Sequence, residues 1–141
     1  MKIALASDHA GFTYKAIVKT HLIGLGLQVE DFGTFNTEPC DYPDFIRPAA
    51  QAVAKKKCER GIVFGGSGNG EAIVANKVKG IRCAIAWDVR SAKLSREHND
   101  ANMLSIGERM MSIHEAIELV ELWLNTEFQG GRHLQRINKI D

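Results

Sequence analysis

Residues 60–71 read Arg-Gly-Ile-Val-Phe-Gly-Gly-Ser-Gly-Asn-Gly-Glu and give the clearest view of the architecture. The first part, Ile62-Val63-Phe64, is a continuous apolar run, as expected for a strand buried on both faces. Four glycines follow within residues 65–70, where they allow the backbone to turn sharply. The stretch therefore predicts a buried strand, a tight turn and the start of a helix, which is typical of an α/β protein.

Short apolar runs alternate with amphipathic segments on both sides of this stretch. The predicted strands lie at about 2–7, 27–32, 60–65, 82–87 and 103–107. The predicted helices lie near 12–24, 44–57, 70–78, 89–98, 113–124 and 131–140. Right-handed crossovers between successive strands put helices on both faces of a sheet. We therefore predict one doubly wound α/β domain over residues 1–141, Rossmann-like or flavodoxin-like, with a five-stranded parallel sheet.

The composition is that of one ordinary globular domain. Of the 141 residues, 45% are hydrophobic and 25% are charged, which argues against disorder. The formal net charge of +1 argues against a nucleic-acid partner, because nucleic-acid binders carry a clear basic excess. No apolar stretch is long enough for a signal peptide or a membrane span, so we expect no membrane partner. Cys40, Cys58 and Cys83 are scattered and odd in number, which favours a reduced, cytoplasmic location.

The glycine-rich turn is the strongest candidate for a functional site, since ligands of doubly wound folds bind beyond the carboxyl ends of the strands. Successive N–H groups from Gly66 to Gly70 would point into one anion-binding nest at a helix N-terminus. Glu71 could remove a proton next to a carbonyl while the nest holds the developing oxyanion. Two simpler explanations stay open: a plain turn for the glycines, and a helix start stabilised by the dipole for Glu71.

Three better-known motifs do not fit this turn. Glu71 stands where a dinucleotide-binding fingerprint needs its third glycine, and its charge would repel a pyrophosphate. The Gly-Lys-Ser/Thr sequence of a phosphate loop is absent. Asn69 stands where a nucleophile elbow needs its last glycine. With these three motifs excluded, the turn is best described as a nest of N–H groups beside a carboxylate.

Two further groups of polar residues flank predicted strands. Asp8 and His9 follow the first strand, and together at a strand's carboxyl end they indicate function, although Asp8 could simply cap the next helix. His98 and Asn99 stand at a helix end, in a run of polar residues that precedes the last strand. The helix dipole alone would favour a histidine there, so a structural role for His98 stays open.

Three arginines are candidate phosphate ligands. Arg132 and Arg136 are spaced i, i+4, so both guanidiniums would lie on one helix face and could clamp a phosphate. A solvated basic face is the simpler explanation for that pair. Arg109 follows the last strand and is a third candidate. The five histidines are scattered and show no metal-binding pattern, so we expect neither a metal nor a cofactor.

Seven short motifs are spread along the whole chain. In order they are Ala6-Ser7-Asp8-His9-Ala10-Gly11-Phe12, Asp41-Tyr42-Pro43, Gly66-Ser67-Gly68-Asn69-Gly70, Ala75-Asn76-Lys77, Gly80-Ile81-Arg82, Arg96-Glu97-His98-Asn99-Asp100-Ala101-Asn102 and Gly130-Gly131-Arg132-His133. Together these motifs resemble the ribose-5-phosphate isomerase B family, which also includes subunits of galactose-6-phosphate isomerase.

The resemblance implies an aldose–ketose isomerase that interconverts ribose 5-phosphate and ribulose 5-phosphate, a reaction of the pentose phosphate pathway, through an enediolate formed after ring opening. The resemblance assigns Glu71 as the base, and Asp8 and His98 to ring opening and proton transfer. The enediolate oxygen would be held by Ser67 and by the N–H groups of Gly66, Gly68, Asn69 and Gly70. Tyr42 and Asn99 would orient the sugar, and the phosphate would be bound by His9, Arg109, Arg132 and Arg136. It also implies that a neighbouring subunit supplies His98, Asn99 and Arg109, hence a homodimer or tetramer with shared active sites.

Residue 65 separates two branches of this family. In one branch a cysteine just before the glycine loop is the base, whereas this chain has Gly65 there. The sequence Gly-Gly-Ser-Gly-Asn-Gly-Glu resembles the other branch, in which a glutamate takes that role, and Glu71 matches it.

Three other functions remain alternatives. The substrate could be a hexose 6-phosphate of the galactose or allose type. The chain could be a nucleotide-binding or sensor domain without catalysis, which the missing fingerprint and Glu71 disfavour. It could also be a regulatory subunit, which the presence of every expected polar position disfavours.

Overall fold

The computed structural model describes Met1–Asp141 and has one five-stranded sheet in the order β2-β1-β3-β5-β4, with every pair of strands parallel. In chain order the elements are β1 (Lys2–Ser7), α1 (Phe12–Gly24), β2 (Gln28–Asp31), α2 (Pro43–Ala54), β3 (Arg60–Gly65), α3 (Asn69–Asn76), β4 (Cys83–Ile85), α4 (Val89–Asn99), β5 (Met103–Gly107), α5 (Ile113–Asn125) and α6 (Arg132–Ile137). The predicted doubly wound α/β fold is confirmed.

The two faces of the sheet have cores of different character because strand side chains alternate between them. Large residues such as Leu5 and Phe64 point towards α1, α4 and α5, where Trp123 is fully buried. Small residues such as Ala4 and Ala6 point towards α2 and α3. Both faces of the sheet are therefore buried and mainly apolar, and the polar residues of the candidate site lie beyond the ends of the strands.

The edge strands and three helices are shorter than predicted. β2 and β4 were predicted over 27–32 and 82–87, but each has a hydrogen-bonding neighbour on one side only, which fixes fewer of its residues. The α2 helix stops at Ala54 rather than 57, because Lys56 adopts a left-handed backbone with φ 59°. The α3 and α6 helices likewise end at Asn76 and Ile137, before the predicted 78 and 140.

The β4 edge of the sheet is partly closed by a side chain. Asn76, the last residue of α3, donates from Nδ2 to the carbonyl of Cys83 at 2.9 Å. Its Oδ1 accepts the N–H of the same residue at 2.8 Å. These are two of the backbone groups that β4 would otherwise offer to a sixth strand.

A buried lysine fixes the segment that follows β2. Lys15 of α1 donates to Asp31 Oδ1 at 2.6 Å and also to the carbonyl of Thr34. Burial lowers the pKa of Lys15, and the hydrogen bond and charge of Asp31 oppose that change. Lys19 binds the other oxygen of Asp31 at 3.3 Å from a more exposed position.

No helix of the protein combines the length and apolar character needed to cross a membrane.

The two lysines on Asp31 provide a matched test of this arrangement. The Lys15 side chain is 1% exposed and that of Lys19 is 38% exposed. Lys15→Ala should reduce the free energy of unfolding by about 3–5 kcal/mol, since it removes one partner of a buried pair. Lys19→Ala should reduce it by less than about 1 kcal/mol. Equal losses in urea titrations of the two variants would contradict the buried role of Lys15.

Candidate active site

Three loops meet at the carboxyl ends of the central strands. The parallel register puts Ser7 beside Phe64 and Gly65 beside Gly107. The strand pairing continues into the loops, since Glu108 N–H donates to the Gly65 carbonyl at 2.8 Å. The predicted site therefore lies where three separate stretches of the chain are held side by side.

The glycine loop presents free N–H groups. Gly68 has a φ of 85°, a left-handed conformation that suits glycine. Its carbonyl accepts the hydroxyl of the buried Ser105 at 2.7 Å, which anchors the loop to β5. The N–H groups of Gly66, Ser67, Gly68 and Gly70 donate to no other group of the chain. The loop is thus an open nest at the start of α3, able to bind an anion.

Glu71 lies buried beside this nest, with 4% of its surface exposed. Its carboxyl group packs against the α-carbon of Gly65, so closely that a Cβ at residue 65 would overlap it. Burial raises the pKa of Glu71, and the charge of Asp8 raises it further. A hydrogen bond with its own backbone partly opposes these effects. A carboxylate whose proton affinity is increased in this way is suited to act as a general base.

Asp8 and His9 lie next to this group on the loop after β1. Asp8 is 8% exposed, and its Oδ1 accepts the N–H groups of Ala10 and Gly11 at 2.9 and 3.1 Å. Asp8 thus holds the turn into α1, although it is not the helix cap, while its charge also acts on Glu71. The Nδ1 of His9 accepts the N–H of Cys40 at 3.2 Å. A neutral His9 therefore carries its proton on Nε2, where it can donate to a ligand.

Tyr42 and Arg109 pack directly on the glycine loop. A Cβ at Gly70 would lie 2.8 Å from Cζ of the Tyr42 ring. A Cβ at Gly66 would lie 2.8 Å from Nη1 of Arg109. Both glycines therefore allow a close approach that a larger residue would prevent.

The structure places Arg109 at the glycine loop of its own chain. The family resemblance implied that a neighbouring subunit supplies this residue, and in the single chain its guanidinium contacts Gly66. Its N–H also donates to the Gly66 carbonyl at 3.0 Å. The short β5–α5 connection explains this placement, because it leaves Arg109 no freedom to move away from the carboxyl end of β5.

The remaining predicted residues form a second group together with His133. This group, the α4–α6 cluster, consists of His98, Asn99, Arg132, His133 and Arg136. The rings of His98 and His133 stack with centroids 4.4 Å apart. Desolvation, the adjacent His98 and the two guanidiniums all lower the pKa of His133. Asn99 and both arginines are exposed. The cluster is therefore a cationic surface without an acidic partner, suitable for an anion such as phosphate.

The α4–α6 cluster does not meet Glu71 within one chain. The α4 helix begins at Val89, just after β4, and runs back along the sheet. His98 lies nine residues further on, which at about 1.5 Å per residue is roughly 14 Å towards the opposite end of the strands. The structure therefore divides the predicted site residues between the two ends of the sheet.

Sequence reasoning missed the residues that hold the loops in place. Tyr14 N–H donates to Glu108 Oε1 at 2.8 Å, and the Tyr14 hydroxyl donates to the Met111 carbonyl at 2.7 Å. These bonds fix the loop that carries Arg109. Ser105 had a visible signal, since it is the one polar residue within the apolar run of β5. The partners of Tyr14 are almost a hundred residues away in sequence and left no such signal.

No three His, Cys, Asp or Glu side chains lie close enough together to hold a metal ion.

The burial of Glu71 predicts a gain in stability when its charge is removed. Glu71→Gln should raise the melting temperature at pH 7, because the amide has no charge to desolvate. Above the ordinary glutamate pKa of 4.5, the folded protein holds the proton more tightly than the unfolded chain, so wild-type stability falls as pH rises through the raised pKa. The stability gain of Glu71→Gln over wild type should therefore vanish below pH 4.5.

Calorimetric unfolding from about pH 4 to 8 measures this gain. The exposed Glu115, which is also in the first turn of a helix, provides the matched control Glu115→Gln and should show no such gain. A melting temperature that is lower for Glu71→Gln than for wild type at pH 7 would contradict the prediction.

Comparison with known proteins agrees with this geometry. The sequence model of the Ribose/Galactose Isomerase family matches residues 3–140. Ribose-5-phosphate isomerase B of Escherichia coli is 42% identical, with 99% of this chain and 93% of that protein covered. The structure of Clostridium thermocellum ribose-5-phosphate isomerase B has a TM-score of 0.98 at 48% identity, with coverages of 99% and 95%. The Mycoplasma genitalium enzyme with bound ribulose-5-phosphate has a TM-score of 0.95 at 39% identity, with coverages of 99% and 93%. The chain therefore belongs to the ribose/galactose isomerase family.

Proposed function

We propose that this protein interconverts D-ribose 5-phosphate and D-ribulose 5-phosphate, the isomerisation step of the pentose phosphate pathway. One observation carries the proposal: the buried Glu71 carboxylate lies beside a loop in which the N–H groups of Gly66, Ser67, Gly68 and Gly70 have no partner in the chain. A base next to an oxyanion-binding nest is what proton transfer between the two carbons of an enediolate requires. Family membership agrees with this chemistry.

The proposed reaction moves one proton between adjacent carbons. Glu71 takes the proton from C2 of the open-chain aldose, and the electron pair moves onto the carbonyl oxygen at C1. The N–H groups of the glycine loop, with Ser67, stabilise the negative charge on the enediolate. Protons move between the two oxygens through Asp8 and His98, and Glu71 returns its proton to C1, which gives the ketose. The net change is an isomerisation that consumes no other reactant.

The substrate's phosphate and hydroxyl groups would be held by the surrounding polar residues. His9 and Arg109 at the glycine loop, and Arg132 and Arg136 of the α4–α6 cluster, are the proposed phosphate ligands. Their donors suit a dianion, because guanidinium forks and an imidazole N–H form charge-assisted bonds. Tyr42 and Asn99 would orient the sugar hydroxyls.

We further propose that the complete site forms between two subunits of a homodimer. A tetramer built from two such dimers is also compatible with this site. Glu71 and His98 lie at opposite ends of one chain, so an antiparallel copy is needed to bring them together. An exposed apolar groove along α3 and β4 supports this arrangement. Ile73 and Trp87, which are each more than half exposed, line one part of this groove. The groove continues past Cys83 towards Asn99. Two chains docked antiparallel along this groove, related by a two-fold axis, would bring the Glu71 end of each chain to the His98 end of the other.

A cytoplasmic location is part of the same proposal. All three cysteines are free in the fold, as is usual in a reducing compartment.

The role of Glu71 is tested by assay of Glu71→Gln. Turnover of ribose 5-phosphate should fall by at least about 10²–10⁴-fold, because a general base is lost, while substrate still binds. Glu115→Gln should keep wild-type turnover, because a dipole-stabilised helix carboxylate is not part of the proposed chemistry. The same assay across ribose, allose and galactose phosphates identifies the preferred sugar. Turnover of Glu71→Gln within a few-fold of wild type would refute the assignment.

The shared site is tested by complementation between inactive chains. Glu71→Gln and His98→Asn should each be inactive alone, but a mixed dimer has one site with both defects and one with neither. Random assembly of equal amounts should restore about a quarter of wild-type activity, since about half of the dimers are mixed. The chains are co-expressed with different tags, and the purified mixed species, which has one intact site of two, should show about half of the wild-type activity per dimer. Mixed dimers no more active than their parents would refute a site shared in this way.

A further inference from the structure

The turn that follows His98 and Asn99 has an unusual left-handed residue. The α4 helix ends on Asp100, whose φ and ψ are 46° and 45°. The N–H of Asp100 donates to the Arg96 carbonyl at 3.2 Å, and that of Ala101 donates to the Ser95 carbonyl at 3.0 Å. Helix ends of this kind normally use glycine, because a side chain disfavours the conformation. The presence of an aspartate therefore needs a reason beyond ending the helix.

Two arginines bind this turn from opposite sides. Arg82 donates from Nε to the Asn99 carbonyl and from Nη2 to the Asp100 carbonyl, both at 2.9 Å. Arg96 donates from Nη1 to Asp100 Oδ1 at 2.7 Å and to the Ala101 carbonyl at 2.8 Å. The second carboxylate oxygen of Asp100 lies 3.4 Å from Nη2 of Arg82. Asp100 thus joins two guanidiniums, and the carbonyls of the turn are held on both sides.

The same network reaches the segment that leads to α6. Arg96 donates from Nε to the Thr126 carbonyl at 3.2 Å. The N–H of Gln129 donates to the Glu97 carbonyl at 3.1 Å. The stacked rings of His98 and His133 complete the connection between the two helices. The backbone that carries His98 is therefore fixed together with the backbone that carries the two C-terminal arginines.

Stability alone does not account for this construction. The Arg96 side chain is 7% exposed, so its charge is almost fully removed from water. Buried ion pairs stabilise proteins weakly, because desolvation offsets most of the attraction. A glycine at residue 100 together with an uncharged residue 96 would end the helix without any buried charge. What the charged network adds is a single defined geometry for the turn.

We propose that Arg82, Asp100 and Arg96 form a positioning network that sets where His98 and Asn99 stand in the active site of the neighbouring subunit. The inference rests on the proposed function. None of the three residues needs to touch substrate, since they act through the backbone of the turn. Loss of the network should therefore misplace His98 while leaving Glu71 and the glycine loop intact.

Isotope exchange separates these two effects. Ribulose 5-phosphate has no ring to open, because its C5 oxygen carries the phosphate. Glu71 alone can exchange its C1 proton with solvent deuterium, whereas net conversion to ribose 5-phosphate also needs proton transfer at the oxygens. Proton NMR measures both rates in one sample in deuterium oxide.

The test variant is Asp100→Asn, which keeps a residue tolerant of the left-handed backbone but removes the charge that both arginines bind. Net turnover should fall by about 10²-fold, as expected for a misplaced catalytic group, while exchange at C1 stays within a few-fold of wild type. The ratio of exchange to turnover should thus rise by about 10². Arg82→Lys, which keeps the charge but loses the fork, is a second variant and should shift the ratio in the same direction.

The control is Lys93→Ala, which removes an exposed ion pair with Glu97 on the same helix and should leave the ratio unchanged. Parallel loss of exchange and turnover in both network variants, or an unchanged ratio, would overturn the positioning role and leave the proposed function standing. Absence of both reactions in the wild-type protein would overturn the proposed function and this inference with it.

Discussion

All five strands run in the same direction, and this one constraint determines where chemistry is possible. The carboxyl ends of the strands collect the loops of Asp8, Glu71 and Arg109 at one end of the sheet. Each helix must then return the chain to the other end, so a residue late in a helix, such as His98, is delivered to the opposite side. A site that needs both groups cannot close within one such domain. The association with a second copy that we propose would then follow from the topology.

The burial of Glu71 depends on the lack of a side chain at residue 65. Gly65 has no side chain, and the Glu71 carboxyl group occupies the space that a Cβ would take. A base carried at residue 65 and a base carried at residue 71 therefore compete for one volume. This competition would explain why the resemblance implies two branches, with a base at one position or the other. The Ser105 hydroxyl on the Gly68 carbonyl keeps the loop in the conformation that makes this packing possible.

The sequence was most informative where local rules decide the outcome. Apolar runs located the five strands, and the glycines before Glu71 located the nest, because both depend on neighbouring residues. Only the family resemblance gave His98 a role and a place in the site of a neighbouring subunit. Contacts across the fold were invisible: Tyr14 with Glu108, Lys15 with Thr34, and Arg109 against the glycine loop of its own chain. Such contacts are determined by tertiary packing, so no local sequence pattern predicts them.

The amide of Asn76 has a consequence for how copies of this chain can associate. Because it occupies both outward backbone groups of Cys83, it leaves a strand from another molecule little of the short β4 to pair with. A second copy that meets this edge would therefore do so mainly through side chains. A single amide thus works against sheet-to-sheet polymerisation at this edge of the sheet.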